Sequence, residues 1–269
     1  MSDRIDQRLV QLGLVRSRSQ AQALIDAGQV MLTRPAQTPE SVRRASQKVG
    51  PEVMLALKED AAGQPVSRGA HKLDAIIEVV RPKITGALCI DAGQSTGGFT
   101  ERLLTHGATT VIGLEVGHGQ LAQSLRNDDR VFCFERTNVR ECSRDVLEKK
   151  LIDSSAPALA QRLQADGADI IVADLSFISL RKVLSPLSDL LAHDGVLLAL
   201  IKPQFELGPG AVNKRGIVTD TEGRNQLHSQ FKLACQMAGL VLRDWIDSPI
   251  AGGDGNHEFL MHAIPTPHS

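Results

Sequence analysis

The chain has 269 residues, of which 42% are apolar and 23% charged, so it can bury a core as one large domain or as a domain with a small module. A net charge near −1 excludes a chain that is basic throughout, and the absence of tyrosine argues against the base-stacking platforms of many single-strand binders. The longest apolar run, 196–201, is too short for a bilayer. The four cysteines have no Cys-x-x-Cys spacing, so we expect a cytoplasmic protein without metal.

Residues 1–60 predict a small α+β domain. Two short helices have apolar residues on one face, namely Ile5, Leu9 and Leu12 in the first and Ala21, Leu24 and Ile25 in the second. Gly13 and Gly28 are expected to end these helices, and Ser17 to cap the second. Residues 30–32 and 53–57 predict short strands on either side of a polar loop.

The same part of the chain differs in charge from the rest. Residues 1–50 carry a net charge of +4, whereas the remainder is near −5. This asymmetry indicates a basic face that docks on a polyanion, although a solvated helical surface would give the same count.

Residues 61–66 contain Gly63 and Pro65 and predict a linker to a second domain, 67–269. Beyond the linker, strands alternate with helices, which predicts a doubly wound parallel sheet of the Rossmann-like α/β class with seven strands. The expected strands are 87–91, 109–116, 131–135, 169–177, 196–204, 241–250 and 257–265, and the expected helices are 99–107, 120–126, 180–195 and 222–240. Because no helix separates the last two strands, they should form an antiparallel pair.

A glycine-rich loop follows the first of these strands and opens a helix. It consists of Asp91, Ala92, Gly93, Gln94, Ser95, Thr96, Gly97, Gly98, Phe99 and Thr100. Glycines let the backbone approach a ligand closely, and Glu115, which ends the next strand, could bind ribose hydroxyls. These features suit either a dinucleotide or S-adenosylmethionine. The glycines are spaced G-x-x-x-G-G rather than G-x-G-x-x-G, and no phosphate loop is present, which favours S-adenosylmethionine.

Four more polar residues should lie at the same edge of the sheet. Asp174 and Lys202 end two strands, Glu258 opens the last strand, and Lys72 lies on a helix before the first. Each alone would most simply be a solvated charge, but together they indicate a reactive centre. The [DN]-P-P-[YF] motif of base-amine methylation is absent at Asp174.

At this point the sequence resembles a known family. The motifs D-A-G-Q-S-T-G-G-F-T, A-D-L-S-F-I-S, I-K-P-Q-F-E, S-R-G-A-H-K-L and G-N-H-E-F are similar to those of the TlyA type of ribosomal RNA 2′-O-methyltransferase, often labelled haemolysin A. The catalytic domain of that family is FtsJ-like. Residues 4–32, with R-I-D-Q-R-L and A-G-Q-V, resemble the small S4-type RNA-binding domain that the family carries.

The resemblance implies a site and a reaction. The family's Lys-Asp-Lys-Glu tetrad maps onto Lys72, Asp174, Lys202 and Glu258. The methyl group of S-adenosylmethionine would pass to a ribose 2′-hydroxyl, of cytidine in the family, within ribosomal subunits. Cofactor contacts are expected from Asp91, Gly93, Gln94, Ser95, Thr96, Gly97, Gly98, Phe99, Glu115 and Asp174. Phosphate contacts are expected from Arg4, Arg8, Arg16, Arg18, Arg43, Arg44 and Arg68.

Lys202 would either accept the hydroxyl proton or hold the hydroxyl and stabilise its developing charge, and the sequence leaves both roles open.

Some residues depart from the family pattern. Gln94 replaces the usual Ala, Glu115 the usual Asp, Gln20 a basic residue and Pro65 an aromatic one, and the segment 33–49 is longer than usual. Two other functions remain as alternatives. One is a ribosome-binding protein without catalysis, which an intact tetrad argues against. The other is a membrane-active haemolysin, for which no spanning or strongly amphipathic cationic segment is evident.

Overall fold

The computed structural model describes residues 3–12, 14–15, 18–26, 28–34, 38–50, 52–57, 69–213, 215–252 and 255–267. Their contacts divide the chain into two compact units, Met1–Gln64 and Pro65–Ser269. The linker expected at 61–66 lies outside the described residues, as do Ser17 and Gly13.

The described residues of the first unit form two helices and five short strands. The helices are α1 (Ile5–Gln11) and α2 (Arg18–Asp26), and the strands are β1 (Asp3–Arg4), β2 (Val30–Thr33), β3 (Glu40–Ser41), β4 (Lys48–Val49) and β5 (Met54–Leu57). The strands predicted at 30–32 and 53–57 correspond to β2 and β5, which are antiparallel neighbours, with β3 on the other side of β2. Ile5 and Leu9 are fully buried, but Leu12 follows the helix and is 51% exposed, so its predicted place on the apolar face of that helix is wrong.

The second unit is built on one large sheet. Its strands are β6 (Leu88–Ala92), β7 (Thr110–Glu115), β8 (Val131–Glu135), β9 (Ala168–Ala173), β10 (Leu191–Ile201), β11 (Leu240–Asp247) and β12 (Phe259–Pro265). Its α-helices are α3 (Gly69–Val80), α4 (Gly98–Thr105), α5 (Gln123–Arg126), α6 (Arg144–Asp153), α7 (Pro157–Asp166), α8 (Leu184–Leu190), α9 (Pro203–Glu206) and α10 (Thr221–Met237). Short 3₁₀ turns cover Val139–Glu141, Leu180–Lys182 and Pro209–Ala211.

The strand order is β11-β12-β10-β9-β6-β7-β8. Strands β6 to β10 are parallel, while β12 is antiparallel to both β10 and β11, which confirms the predicted fold class and the final antiparallel pair. The chain winds outward from β6 in one direction and from β9 in the other. The carboxyl ends of β6 and β9 therefore form the switch point where such sheets bind ligands.

Helices cover both faces of this sheet. Alternate residues of a strand point to opposite faces, and in β6 Leu88 and Ile90 pack with α6, α7, α8 and α10, whereas Cys89 packs with α3 and α4. Both sides of β6 are completely buried. This two-sided burial explains why the strands read as continuous apolar runs.

Three elements illustrate where the structure differs from the sequence prediction. Helices α6 and α7 were not predicted, because their apolar residues are few and the visible signals are local ones: Ser143 accepts a hydrogen bond from the Val146 N–H, and Pro157 occupies the first turn of α7. Strand β10 begins at Leu191, where the sequence predicts helix to 195. A register shift between Leu191 and Val196 accommodates the interrupted apolar pattern there.

Trp245 on β11 packs among aromatic neighbours. Its ring centroid lies 5.0 Å from that of Phe259 and 5.6 Å from that of Phe231. This cluster joins β11, β12 and α10 at the antiparallel end of the sheet. In the part of the chain that the structure describes, no helix is long and apolar enough to cross a membrane.

Candidate active site

The glycine loop lies at the switch point of the sheet. Gly93 adopts a φ of +86°, and a β-carbon on it would lie 2.6 Å from the main-chain oxygen of Asp174. The loop is fixed by hydrogen bonds from the Gly93 N–H to the Leu114 oxygen (2.9 Å) and from the Asp174 N–H to the Ala92 oxygen (3.0 Å). Only glycine fits at position 93, because both its backbone conformation and the neighbouring backbone of Asp174 exclude a side chain.

A buried polar chain supports the loop from behind. Asp91 is 1% exposed and accepts a hydrogen bond from the Thr100 hydroxyl (2.7 Å), which in turn accepts one from the Gln94 amide (3.0 Å). Burial raises the pKa of Asp91 to about 7, and the charge of Asp174 adds to the increase while the Thr100 bond opposes it. Oδ1 of Asp91 and Oε1 of Gln94 have no hydrogen-bond partner among the described residues.

Glu115 connects the end of β7 to the glycine loop. One carboxylate oxygen accepts the Ser95 N–H (2.8 Å) and the other the Gly117 N–H (2.7 Å). A carboxylate has about four acceptor sites, so each oxygen of Glu115 can accept a further hydroxyl donor. The longer side chain found here in place of Asp therefore both orders the loop and keeps capacity for a ligand.

Two ion pairs bring the four predicted catalytic residues together in pairs. Lys72 on α3 lies 2.5 Å from Glu258, and the two side chains are 10% and 2% exposed. Lys202 Nζ lies 2.6 Å from Oδ1 of Asp174 and donates to the Ser176 hydroxyl at 2.9 Å. The residues come from four separate segments at one edge of the sheet.

Three cavities adjoin these pairs. The Lys72 cavity, of about 260 Å³, is lined by Lys72, Asp174 and the glycine loop, and the Glu115 cavity, of about 570 Å³, by Glu115, Asp174 and residues 137–139. The Lys202 cavity, of about 420 Å³, is lined by Lys202 and Glu258, among others. The first two share the Asp174 wall, and the last two share residues 176–177. The Lys72 and Glu115 cavities are together called the loop cavities. Both ion pairs therefore lie on the border between the loop cavities and the Lys202 cavity.

An exposed aromatic residue marks the rim of the Lys202 cavity. Phe177 is 92% exposed and has a φ of +64°, a conformation that bulky side chains rarely adopt. Its ring lies 5.3 Å from that of Phe205, which lines the same cavity. An apolar ring held in the open by an unfavourable backbone indicates a contact surface for a ligand.

Comparison with known proteins identifies the family. Residues 65–264 match the FtsJ-like methyltransferases, and residues 3–32 match the S4 domain. The chain belongs to the FtsJ-like methyltransferases. It is 39% identical, over 96% of its length and 88% of the relative's, to the 16S/23S rRNA (cytidine-2′-O)-methyltransferase TlyA of Mycobacterium tuberculosis.

Solved structures agree with this FtsJ-like assignment. A proposed hemolysin of Streptococcus thermophilus superposes with a TM-score of 0.69 at 31% identity, covering 98% of this chain and 89% of the other. A proposed S-adenosylmethionine-dependent methyltransferase of Listeria monocytogenes superposes with a TM-score of 0.51 at 12% identity, covering 74% and 100%, and shares the fold.

In the S4 unit of this FtsJ-like protein, the predicted RNA-binding arginines make different contacts. Arg4 and Arg18 both form ion pairs with the buried Asp6, at 3.0 and 2.9 Å. The Arg4 hydrogen bond, aided by Arg18, holds the pKa of Asp6 down at about 2 despite its burial. Arg8 donates to the Gly50 oxygen at 2.7 Å.

The other arginines of that prediction are Arg43, Arg44, Arg16 and Arg68. Arg43 and Arg44 are exposed, whereas Arg16 and Arg68 lie outside the described residues.

Several residues of the candidate site were not predicted from the sequence. Thr100 links Asp91 to Gln94, Ser176 binds Lys202, and Phe177 with Phe205 forms the rim. All of them lie within the motifs described above, in which other residues were predicted to form the site. Their roles depend on where the side chains point, which the spacing of motif residues does not reveal. His71 and His257, next to tetrad members, were assigned no role.

Proposed function

We propose that the protein transfers a methyl group from S-adenosylmethionine to a ribose 2′-hydroxyl of ribosomal RNA, with cytidine as the target. The observation that carries the proposal is the position of the Lys202–Asp174 and Lys72–Glu258 pairs between the glycine-loop cavities and the Lys202 cavity. A donor bound on one side and an acceptor on the other would meet at these side chains. The similarity to TlyA supports the choice of substrate.

The loop cavities suit S-adenosylmethionine. Gly93 excludes a side chain, Glu115 has acceptor capacity for ribose hydroxyls, and the loop from Asp91 to Thr100 lacks the G-x-G-x-x-G spacing that is typical of dinucleotide binding. The Glu115 cavity would hold the nucleoside, and the Lys72 cavity the amino-acid part. When bound, this cofactor supplies an electrophilic methyl group on a positively charged sulfur.

The chain's own residues would orient and deprotonate the acceptor. A lysine ammonium has three N–H donors; Lys202 donates one to Ser176 and lies in an ion pair with Asp174, so donor capacity remains for the 2′-oxygen. This bond would hold the oxygen in line and stabilise its negative charge as it attacks. The hydroxyl proton would pass to the Asp174 carboxylate, because an ammonium group has no lone pair to accept it. The geometry thus favours the orienting role of Lys202 over that of a free base.

The second ion pair would shape the site from the opposite side. Lys72 borders the loop cavity, while Glu258 borders the Lys202 cavity, so their bond joins the two compartments. Because both groups are almost completely buried, they hold each other in fixed positions. The pair would place positive charge near the cofactor's carboxylate and a carboxylate oxygen near the ribose.

The two units would divide the work. We assign RNA docking to residues 1–60 and catalysis to residues 67–269, with residues 61–66 as the linker. Arginines of the S4 unit would bind phosphates of a ribosomal subunit, which is a cytoplasmic partner. Phe177 would offer its open face to the target base, since stacking on an aromatic ring tolerates any base.

The test is methyl transfer from labelled S-adenosylmethionine to separated small and large ribosomal subunits from cells that lack the gene. Label on a ribose 2′-oxygen, lost in Lys202→Ala while cofactor binding persists, is the expected result. Transfer that survives in Lys202→Ala would refute the assigned role of Lys202. Absence of cofactor binding in the wild type would refute the assignment of the glycine loop.

A further inference from the structure

The motif I-K-P-Q-F-E contains a second charged residue that the proposed chemistry does not use. Glu206 lies four residues after Lys202, and its side chain is 2% exposed. One carboxylate oxygen accepts the Leu180 N–H at 2.7 Å. The other accepts the Ser179 hydroxyl at 2.6 Å and the Arg181 guanidinium at 3.1 Å. Both oxygens of this buried carboxylate are thus bound to one short stretch of chain, 179–181.

These contacts join the two segments that leave neighbouring strands. Residues 174–183 follow β9, and residues 202–207 follow β10. Lys202 connects the segments at one end through Asp174 and Ser176, and Glu206 connects them at the other. The backbone oxygen of Glu206 also accepts the Arg181 guanidinium at 2.7 Å, so the second connection has four hydrogen bonds.

The residues between the two connections form the wall of the Lys202 cavity. Ser176 and Phe177 both line it, and Phe177 is held at its unfavourable positive φ. A strained conformation persists only when the surrounding contacts fix it. Release of the Glu206 end would let this stretch relax, and the Ser176 hydroxyl would then move away from Lys202.

We propose that Glu206 is a positioning residue. It fixes residues 175–181 so that Ser176 orients Lys202 and Phe177 orients the target nucleotide for the reaction. This inference rests on the proposed function for its kinetic consequence. Its structural consequence, the ordering of residues 175–181, stands without it.

A buried carboxylate could also matter for stability alone, so a matched control is needed. Asp169 likewise accepts one backbone N–H, of Leu88, and one guanidinium, of Arg162, both at 2.6 Å, so it matches the contact types of Glu206, although its side chain is 37% exposed. It lies near the start of β9, at the edge of the sheet opposite the glycine loop. Asp169→Asn should therefore destabilise the fold without touching the Lys202 cavity.

The experiment compares Glu206→Ala, Glu206→Gln and Asp169→Asn with the wild type. Glu206→Gln keeps the volume and can still accept the Leu180 N–H, so it serves if the alanine variant folds poorly. We expect kcat per cofactor-binding site to fall about 100-fold in Glu206→Ala, less in Glu206→Gln and not in Asp169→Asn. The dissociation constant for S-adenosylhomocysteine should stay close to the wild-type value in all three.

Amide hydrogen exchange provides the second readout. Exchange in peptides that cover 175–181 should rise in the Glu206 variants and remain unchanged in Asp169→Asn. Unchanged exchange there, or a loss of activity that only follows the loss of cofactor-binding sites, would overturn the inference. If the wild type transfers no methyl group to RNA, the proposed function fails, and the exchange data alone still decide whether Glu206 orders this stretch.

Discussion

The side-chain amide of Gln94 occupies the space next to Gly113 where a β-carbon would otherwise lie. A β-carbon on Gly113 would come within 2.0 Å of Cδ of Gln94, which is 2% exposed. The glycine loop has Gln94 where the family usually has alanine, and the longer side chain fits because residue 113 on β7 is glycine. The same amide donates to Thr100, which holds Asp91.

This relationship predicts a compensating pair of substitutions. Gly113→Ala should displace the Gln94 amide, break its bond to Thr100 and lower the free energy of unfolding by about 1–3 kcal/mol. Gln94→Ala combined with Gly113→Ala should recover most of that loss, because the added methyl group then fills the vacated space. Urea denaturation of the two single variants and the double variant checks this. Additive losses in the double variant would contradict the interpretation.

Substitutions in the buried pair of Lys72 and Glu258 should have separable effects on stability and on catalysis. Lys72→Met leaves Glu258 without its partner and should destabilise the protein by about 3–5 kcal/mol. Adding Glu258→Gln removes the unpaired charge and should restore a large part of this stability. Methyl transfer should remain absent in the double variant. Recovery of activity together with stability would show that the pair has only a structural role.

The raised pKa of Asp91 predicts a pH-dependent stability. The carboxyl group titrates at about 7 in the fold but near 4 in the unfolded chain, so the native state binds the extra proton between these values. Its contribution is complete below about pH 4 and is lost as the pH rises through about 7. In Asp91→Asn this loss should disappear. The difference in unfolding free energy between wild type and variant, measured from pH 5 to pH 8, should therefore change steadily; a constant difference would refute the assignment.

The positive φ of Phe177 predicts an inverted order of stability. Phe177→Ala and Phe177→Gly both remove the ring, but only glycine adopts this conformation without strain. The glycine variant should therefore be more stable than the alanine variant by about 1 kcal/mol, the reverse of the usual order. Both should bind RNA less well than the wild type to a similar extent. Thermal denaturation and RNA titration measure the two effects, and a less stable glycine variant would contradict the strain.

The arginines of the first unit should fall into two classes. Arg43 and Arg44 are exposed, so their replacement by alanine should leave stability unchanged while weakening RNA binding and reducing its salt dependence. Replacement of Arg4 and Arg18 should in addition destabilise the unit, because the buried carboxylate of Asp6 would remain without a cationic partner. RNA titrations at several salt concentrations, with denaturation curves, distinguish the classes. An unchanged salt slope in the Arg43 and Arg44 variants would exclude them from the interface.

The extent of the sequence prediction has a physical explanation. The central strands of the sheet were predictable because β6, β9 and the second half of β10 form nearly continuous apolar runs that are buried on both faces. Helices α6 and α7 were not, because they bury few residues; Leu147, Leu151, Ala160 and Leu163 are the buried residues of the two.

The placement of the four tetrad candidates at one edge of the sheet was predictable, whereas their pairing was not. Asp174 and Lys202 follow parallel strands, which end at the same edge. The ion pair of Lys202 with Asp174 depends on the pairing of β10 with β9, and that of Lys72 with Glu258 on the insertion of β12 beside β10. No local pattern encodes that neighbour relationship, and the positive φ of Phe177 is likewise set by contacts distant in sequence.

The aromatic cluster of β11, β12 and α10 has an optical consequence. The chain contains one tryptophan and no tyrosine, so ultraviolet fluorescence excited at the red edge arises from Trp245. Its indole packs on Phe259, the residue after Glu258. Emission from the unlabelled wild-type protein therefore reports on β12, the strand that Glu258 immediately precedes. Rearrangement of that strand during ligand binding can be followed in real time without an introduced fluorophore.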